Sequence, residues 1–470
     1  MKVVFVHHHL RPGGVTRVIK EEIKATGESC KPLVICGEPP EEDVPFPFRV
    51  IPAIAYDRDR TDTLKPEETV KLILKEVLSF FDGEADLFHI HNPTLGKNRD
   101  FLRVIKLLIK TDARVLLHIH DFAEDGRPSN YSQEEYPENC HYAVLNRRDY
   151  SILIKAGLKE EGLHLLPNPV NPLPTAGLKN CFKRFVLYPV RAIRRKNIGE
   201  AILLSLFLSD DEAVGITLEP TSRIDLLRYR GWIEFAREKN LKVKFRLGLD
   251  RRFEDVLSET RCFITTSIRE GFGFSFLEPW TAGCPVYGRI LPEICRDFTL
   301  EGIELSHLYD RIAIPFDLFD EKKFSRKWKN CYTKRMRSYF MPISYDEVER
   351  VFSEYFKESY VDFGMLDEEL QKEVIIKILS SEDLRRYVVS LNPFLKNATN
   401  SSISSDIIEK NRRIVEEHYS AERISGLLLD VYDRVMSTSP VHGIEKNTLI
   451  RFFNSPEKNH LLLCDASNGK

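Results

Sequence analysis

Up to about residue 290, short apolar runs alternate with amphipathic stretches, and they do so in two successive cycles. In the first, residues 2–6, 33–36, 49–53, 87–91, 114–118, 142–145 and 163–166 read as strands, with helices over 15–25, 66–81, 100–110 and 148–156. In the second, strands are expected at 185–188, 214–217, 243–247, 262–266 and 285–287, with helices over 198–209, 224–239 and 253–258. Strands that alternate with helices can pair only as a parallel sheet with helices on both faces. The chain is therefore expected to be α/β, with two Rossmann-like, doubly wound domains. A proline-rich piece, Pro167-Asn168-Pro169-Val170-Asn171-Pro172-Leu173-Pro174, separates the cycles and reads as a stiff linker. Two such halves are expected to take a ligand in a cleft between the carboxyl ends of their sheets.

The domain expectation follows: residues 1–172 as the first domain, 173–344 as the second, 345–405 as a helical insert, and 406–470 as C-terminal helices and tail packing back across the domains. A polar loop is expected over 397–405, and a tail over 437–470 that carries one apolar patch, Leu461-Leu462-Leu463, and ends loosely. The net charge of −2 argues against bulk electrostatic capture of nucleic acid, so no nucleic-acid partner is expected. Nine cysteines lie scattered with no C-x-x-C pair, which reads as reduced thiols rather than a disulfide framework or a zinc site. Residues 1–6 read as a strand rather than a signal peptide, and no run has transmembrane length. The expected location is cytoplasmic.

One segment concentrates the chemistry. The apolar run 262–267 leads into Arg269-Glu270-Gly271-Phe272-Gly273-Phe274-Ser275-Phe276-Leu277-Glu278. A strand ends, a glycine-rich turn follows, and a helix is expected to open at 277–281, aiming backbone N–H groups and a positive helix end at one spot. Arg191 and Lys196 follow the apolar run 185–188 and put two cations past a second strand end, as a pyrophosphate requires. Gly13-Gly14 follows the first strand and opens a helix, with Arg11 and Arg17 beside it, a setting for an anionic group. His7, His8, His9, His89, His91, His118 and His120 invite a metal reading, because alternate residues on neighbouring strands share a rim. Their spacing matches no known ligand pattern, and the expectation is no metal site.

These motifs, in this order, resemble retaining glycosyltransferases of the GT-B fold, nearest to family 4. The resemblance runs over residues 1–310 and the helices near 407–436. It rests on Gly13-Gly14-Val15, His120-Asp121, Leu166-Pro167-Asn168-Pro169-Val170, Arg191 with Lys196, and Glu270-Gly271-Phe272-Gly273 with Glu278 before Ala282-Gly283-Cys284-Pro285-Val286. It implies transfer of a hexose from a nucleotide-diphosphate sugar (UDP-, GDP- or ADP-linked) to a small polar or lipid acceptor. Arg191 and Lys196 would neutralise the diphosphate, and Glu278 would hold the ribose. Glu270 and the N–H groups of Gly271, Phe272, Gly273 and Phe274 would hold the donor sugar. Gly14 would admit phosphate against the backbone, and His120 would lie near the anomeric carbon. Asn168 and Asn146 would contact donor or acceptor, and Arg11, Gly13, Gly14 and Arg17 an anionic acceptor. The family implies no cofactor and no metal, since cations do that work. The alternative is a GT-B protein that binds sugar nucleotide without transfer, or an epimerase or phosphorylase.

Residues 322–337 hold eight basic residues and no acidic one, with Phe324, Trp328 and Tyr332 interleaved. The stretch fits an anionic membrane surface, an anionic soluble acceptor, or a solvated helix face. The insert 345–397 fits the acceptor side or an oligomer contact, and the oligomeric state stays open.

Overall fold

The computed structural model describes residues 1–174, 184–397 and 403–464. Its contacts divide the chain into two compact units, residues 1–169 with 417–454, and residues 170–416 with 455–470. Of the loop expected over 397–405, residues 398–402 lie outside the described residues, as do 465–470 of the tail.

The first unit is built on seven strands: β1 (Lys2–His7), β2 (Lys31–Cys36), β3 (Phe48–Val50), β4 (Leu87–His91), β5 (Val115–Ile119), β6 (His141–Val144) and β7 (Leu163–Leu165). All pair in parallel, in the order β3-β2-β1-β4-β5-β6-β7. The side-chain period of two splits each strand between two cores. Val3, Phe5, Leu87 and Leu116 face the helices Gly14–Thr26, hereafter α1, and Ala421–Ser437. Val4, Val6, Phe88 and Leu117 face the helices Pro66–Phe81, Phe101–Ile109, Arg147–Lys155 and Lys446–Phe453. Burial on both faces is why these strands read as nearly unbroken apolar runs. The tail after 437 carries the helix Lys446–Phe453, whose Leu449 and Phe453 are fully buried in this core.

The second unit holds β8 (Phe185–Arg191), β9 (Ala213–Leu218), β10 (Val243–Lys244), β11 (Thr260–Thr265) and β12 (Val286–Gly288) in the parallel order β10-β9-β8-β11-β12. The strand expected over 243–247 stops at Lys244, and Leu247–Asp250 is helical. A two-stranded antiparallel pair, β13 (Ala313–Pro315) with β14 (Tyr360–Asp362), was missed within apolar segments too short to show a period. The helices of the 345–397 region share the core of this sheet through Leu370, Val374, Ile375 and Val388.

The basic stretch forms the helix Glu321–Ser338. Its interleaved aromatics, Phe324, Trp328 and Tyr332, are buried in the core, so they offer no apolar face to a membrane. Lys323, Lys327 and Lys329 pair with Glu369, Asp367 and Glu349. Among the described residues, no helix is long and apolar enough to cross a membrane. The expectation of reduced thiols is corrected at one pair: Cys331 on this helix is bonded to Cys464, 133 residues further on, with Cα atoms 5.7 Å apart. Only the return of the tail to this helix brings those two cysteines together, and no spacing in the sequence announces it.

Beyond β12, Arg289 is buried and bridges three elements. It donates to Glu200 at 2.6 and 2.9 Å, to Asp362 at 2.8 Å through two nitrogens, and to the Asp310 carbonyl at 2.8 Å. Tyr309 Oη adds a bond to Glu200 at 2.9 Å. Arg289→Met should lower unfolding free energy by about 3–5 kcal/mol, because it leaves two buried carboxylates without their cation. Chemical denaturation checks this, and a loss below about 1 kcal/mol would show that the network is not integral to the fold.

Candidate functional site

In a doubly wound sheet the strand order reverses at one point, and the loops leaving the two strands there diverge and open a crevice. In the second unit that point lies between β8 and β11. The loop after β8 carries Arg194, Arg195 and Lys196 in one 3₁₀ turn, and the loop after β11 carries Glu270. The two loops are fastened by their backbones. Ile268 N–H donates to the Arg195 carbonyl at 2.9 Å, and the Thr266 hydroxyl to the carbonyls of Lys196 and Asn197 at 3.0 Å each. Tyr188 Oη donates to the Lys196 carbonyl at 2.8 Å and lies 3.0 Å from Ser267 Oγ.

That scaffold brings two cations onto one carboxylate. Lys196 Nζ pairs with Glu270 Oε1 and Arg195 Nη1 with Glu270 Oε2, while Arg195 also donates to the Arg269 carbonyl at 3.0 Å. Burial alone pushes the Glu270 carboxyl up, but the charges of Arg195 and Lys196 outweigh it and hold the group at about 2. Burial pushes the Lys196 ammonium down, against the pull of Glu270, and Glu278 is close enough to act on it too. Two cations against one carboxylate leave the cluster net positive. Arg195 was missed in the sequence because its neighbour Arg194 looks the same. The difference is tertiary: Arg194 turns to Asp225 at 3.0 Å.

Arg191 ends β8, is exposed, and donates to the Glu219 carbonyl at 3.1 Å rather than joining the Glu270 cluster. Gly273 has a left-handed φ of 100°, and a Cβ there would meet Ile294 and Phe276 at 3.1 Å. The helix expected to open at 277–281 is present as the four-residue Glu278–Thr281, and a 3₁₀ turn, Phe274–Phe276, precedes it. So short a helix has little macrodipole, and the positive field here comes from side chains. Phe272 is buried against Phe298, while Gly271 and Phe274 are partly exposed. The helical insert supports this site from below. Gln371 Nε2 donates to Asn197 Oδ1 at 2.9 Å and holds the left-handed residue that ends the Lys196 turn.

In the first unit the order reverses between β1 and β4. The loop after β1 carries Arg11, Gly13 and Gly14, and the loop after β4 carries Lys97. Gly13 is extended, with φ 175°, and a Cβ on Gly14 would meet nothing within 4 Å, so neither glycine is demanded by the fold itself. α1 starts there with no side-chain cap and no acidic residue in its first turn, and Arg17 is exposed on that turn. Arg11 is already engaged by Glu38, and by Asp59 at 3.2 Å. Lys97 is different: half-buried, with Nζ 4.6 Å over the Tyr56 ring, its ammonium pushed down chiefly by burial against the pull of Asp121, and no carboxylate among the described residues within ion-pair distance. Sequence reasoning missed it, since one lysine in a loop carries no signal.

The remaining candidates divide. His120 is buried and its Nε2 lies 3.0 Å from His91 Nδ1; burial pushes its pKa well down. Asn146 caps the helix Arg147–Lys155, accepting from Asp149 N–H at 2.8 Å. Asn168 is buried and its Oδ1 has no partner among the described residues, a deficit of about 1–3 kcal/mol that a further donor would remove.

No protein-family model matches the chain. It is similar to the mannosylglucosyl-3-phosphoglycerate synthase of Petrotoga mobilis (strain DSM 10674 / SJ95), 27% identical over 413 residues that span 78% of this chain and 79% of the synthase. Among solved structures it is similar to Anabaena Alr3699/HepE in complex with UDP-glucose, with 13% identity, a TM-score of 0.52, and coverage of 92% of this chain and 99% of that one. It is also similar to the lipopolysaccharide outer core galactosyltransferase WaaB in its apo form, with 10% identity, a TM-score of 0.50, and coverage of 92% and 99%. The fold is that of GT-B proteins, with two Rossmann-like parallel-sheet units, as the sequence led one to expect.

The Glu270 cluster has a pH signature. Its carboxyl is held at about 2 against an ordinary 4.5, so it stabilises the fold above about pH 4.5 and loses that contribution as pH falls toward 2. Glu270→Gln should therefore cost on the order of 3 kcal/mol at pH 6, and the gap to wild type should fall by about half at pH 3 and close only below about pH 2. Denaturant titrations of both proteins across that range check it; a gap independent of pH would mean the ion pairs do not set it.

Proposed function

We propose that this protein is a glycosyltransferase that moves a hexose from a nucleotide-diphosphate sugar to a hydroxyl of an anionic acceptor, with retention at the anomeric carbon. The observation that carries the reading is the net-positive cluster of Arg195, Lys196 and Glu270 at the switch point of the second sheet. A leaving diphosphate gains negative charge as the glycosidic bond breaks, and preorganised cations at that point are the main catalytic demand. Lys196 and Arg195 meet it, and Arg191 can swing from a single exposed bond to join them. Glu270 holds the two cations in place. Each of its oxygens keeps a second lone pair, so it also accepts from a sugar hydroxyl. Glu278 takes the ribose. The bond between C1 and the phosphate oxygen breaks, the acceptor oxygen bonds to C1 on the same face, and the acceptor proton passes to the leaving diphosphate. This step asks for no metal, because the side-chain cations supply the charge.

The acceptor bears phosphate or carboxylate in this reading. Support comes from Lys97, a half-buried cation with no carboxylate in ion-pair contact among the described residues, on the loop after β4, the strand beside the one that Gly13-Gly14 follow. Arg17 adds charge at the rim, whereas Arg11 is spent on Glu38 and Asp59. The product named for the Petrotoga relative contains a phosphoglycerate, which carries both kinds of anion.

The test is turnover of UDP-glucose and GDP-mannose with 3-phosphoglycerate or its glucoside as acceptor. Nucleotide diphosphate should be released, and the product should keep the donor's anomeric configuration by NMR. No release from either donor with any anionic acceptor would end the transferase reading, and an inverted product would end the retaining one. Lys196→Ala should lower kcat at least about 100-fold with the fold intact by circular dichroism. Lys97→Ala should raise the acceptor KM about 10-fold or more and leave donor binding unchanged, the scale of one lost charge-assisted contact.

A further inference from the structure

Along the buried strands of the first sheet, polar side chains collect at one place. β4 reads Leu-Phe-His-Ile-His and β5 reads Val-Leu-Leu-His-Ile. The period of two turns His89, His91 and His118 to the face covered by α1, and the register sets His91 opposite His118. Above them α1 supplies Glu22, three residues after Ile19, at a position where the helix otherwise buries apolar side chains. The three histidine side chains are 0% exposed and the glutamate side chain 1%.

The four side chains converge. Glu22 Oε2 lies 3.3 Å from His91 Nε2, Glu22 Oε1 lies 3.4 Å from His118 Nδ1, and His118 Nδ1 lies 3.3 Å from His89 Nε2. One donor atom from each residue falls within 4.8 Å of all the others. Among the described residues, the buried Glu22 Oε2 and His91 Nε2 have only each other within hydrogen-bond reach, at 3.3 Å, and that contact lacks good hydrogen-bond geometry. A buried carboxylate needs a cation, and among the described residues the ion-pair neighbours of Glu22 are these imidazoles. Outer partners fix two of the rings: His91 Nδ1 lies 3.0 Å from His120 Nε2, and His89 Nδ1 lies 2.9 Å from Tyr432 Oη.

We propose that Glu22, His89, His91 and His118 form a closed site for a divalent transition-metal ion, with Zn²⁺ the ion of first choice. Imidazole nitrogen and carboxylate oxygen are zinc donors, and a tetrahedral ion at about 2.0–2.1 Å from its ligands sets them roughly 3.3–3.4 Å apart. The three spacings given above have that length, one from each Glu22 oxygen and one between His89 and His118, and the full set of donors lies within 4.8 Å. Four protein ligands without solvent access leave no position for substrate or an activated water, so the ion is structural. It ties α1 to β4 and β5 and so fixes the helix that Gly13-Gly14 begins. The site is independent of the transferase chemistry.

The experiment uses the full chain without a histidine tag, expressed with added Zn²⁺, dialysed, and assayed by elemental analysis. About one zinc per chain is expected, with an X-ray absorption shell of nitrogen and oxygen only, at about 2.0–2.1 Å. His91→Ala, His118→Ala and the isosteric Glu22→Gln should each lose the metal. Should those variants not fold, wild type decides. Stripping by a strong chelator should lower the melting temperature by about 5–10 °C, and Zn²⁺ alone should restore it. Folded wild type that holds less than about 0.2 metal ions per chain, with a melting temperature unmoved by chelator, would overturn the proposal and leave a protonated histidine as the partner of Glu22. Metal retained in full by folded His91→Ala and His118→Ala would overturn it as well.

Discussion

A parallel sheet covered by helices on both faces has nowhere along its strands for a polar side chain to meet solvent. Polar chemistry is driven to the carboxyl ends, and there the reversal of strand order decides which loops meet. Both units obey this constraint. In one, the loops after β8 and β11 bring Arg195, Lys196 and Glu270 together. In the other, the loops after β1 and β4 bring Gly13, Gly14 and Lys97 to the same edge. The histidines of β4 and β5 are the exception, and their burial beside Glu22 calls for an electrostatic account of its own.

The two switch points are built differently. The second unit concentrates charge and fastens it. Its loops are tied by Ile268, Thr266 and Tyr188, and Gln371 from the insert holds Asn197 at the end of the turn. Such an array keeps its geometry while charge develops on a ligand, which is where electrostatic stabilisation is most effective. The first unit instead offers open backbone and, among the described residues, one half-buried cation with no carboxylate in ion-pair contact, an arrangement suited to recognition.

The architecture was legible because it rests on period and punctuation. Apolar runs of strand length separated by helical patterns, repeated after a proline-rich linker, leave little but two doubly wound sheets. Glycine at 273 was legible for its backbone, and the loops carrying Lys196 and Glu270 followed from strand ends. Other features were not. Nothing local separates Arg195 from Arg194, since one turns to Glu270 and the other to Asp225. Asn146 looks like a contact residue at a strand end and is a helix cap. The aromatics of the helix Glu321–Ser338 look like a surface motif and fill the core.

What the sequence determined by itself was the sheet order of magnitude, the two-unit plan and the loops on which charge would stand, because hydrophobic period and turn chemistry act over a few residues. What only the tertiary structure decided was which side chains share a point in space. Glu22 lies 67 residues before His89 in the chain and faces it across one helix–sheet layer. Cys331 and Cys464 are 133 residues apart and bonded. Gln371 reaches Asn197 over 174 residues. Such pairs are set by how whole elements pack, and packing responds to the summed burial of many residues rather than to the identity of the few that meet.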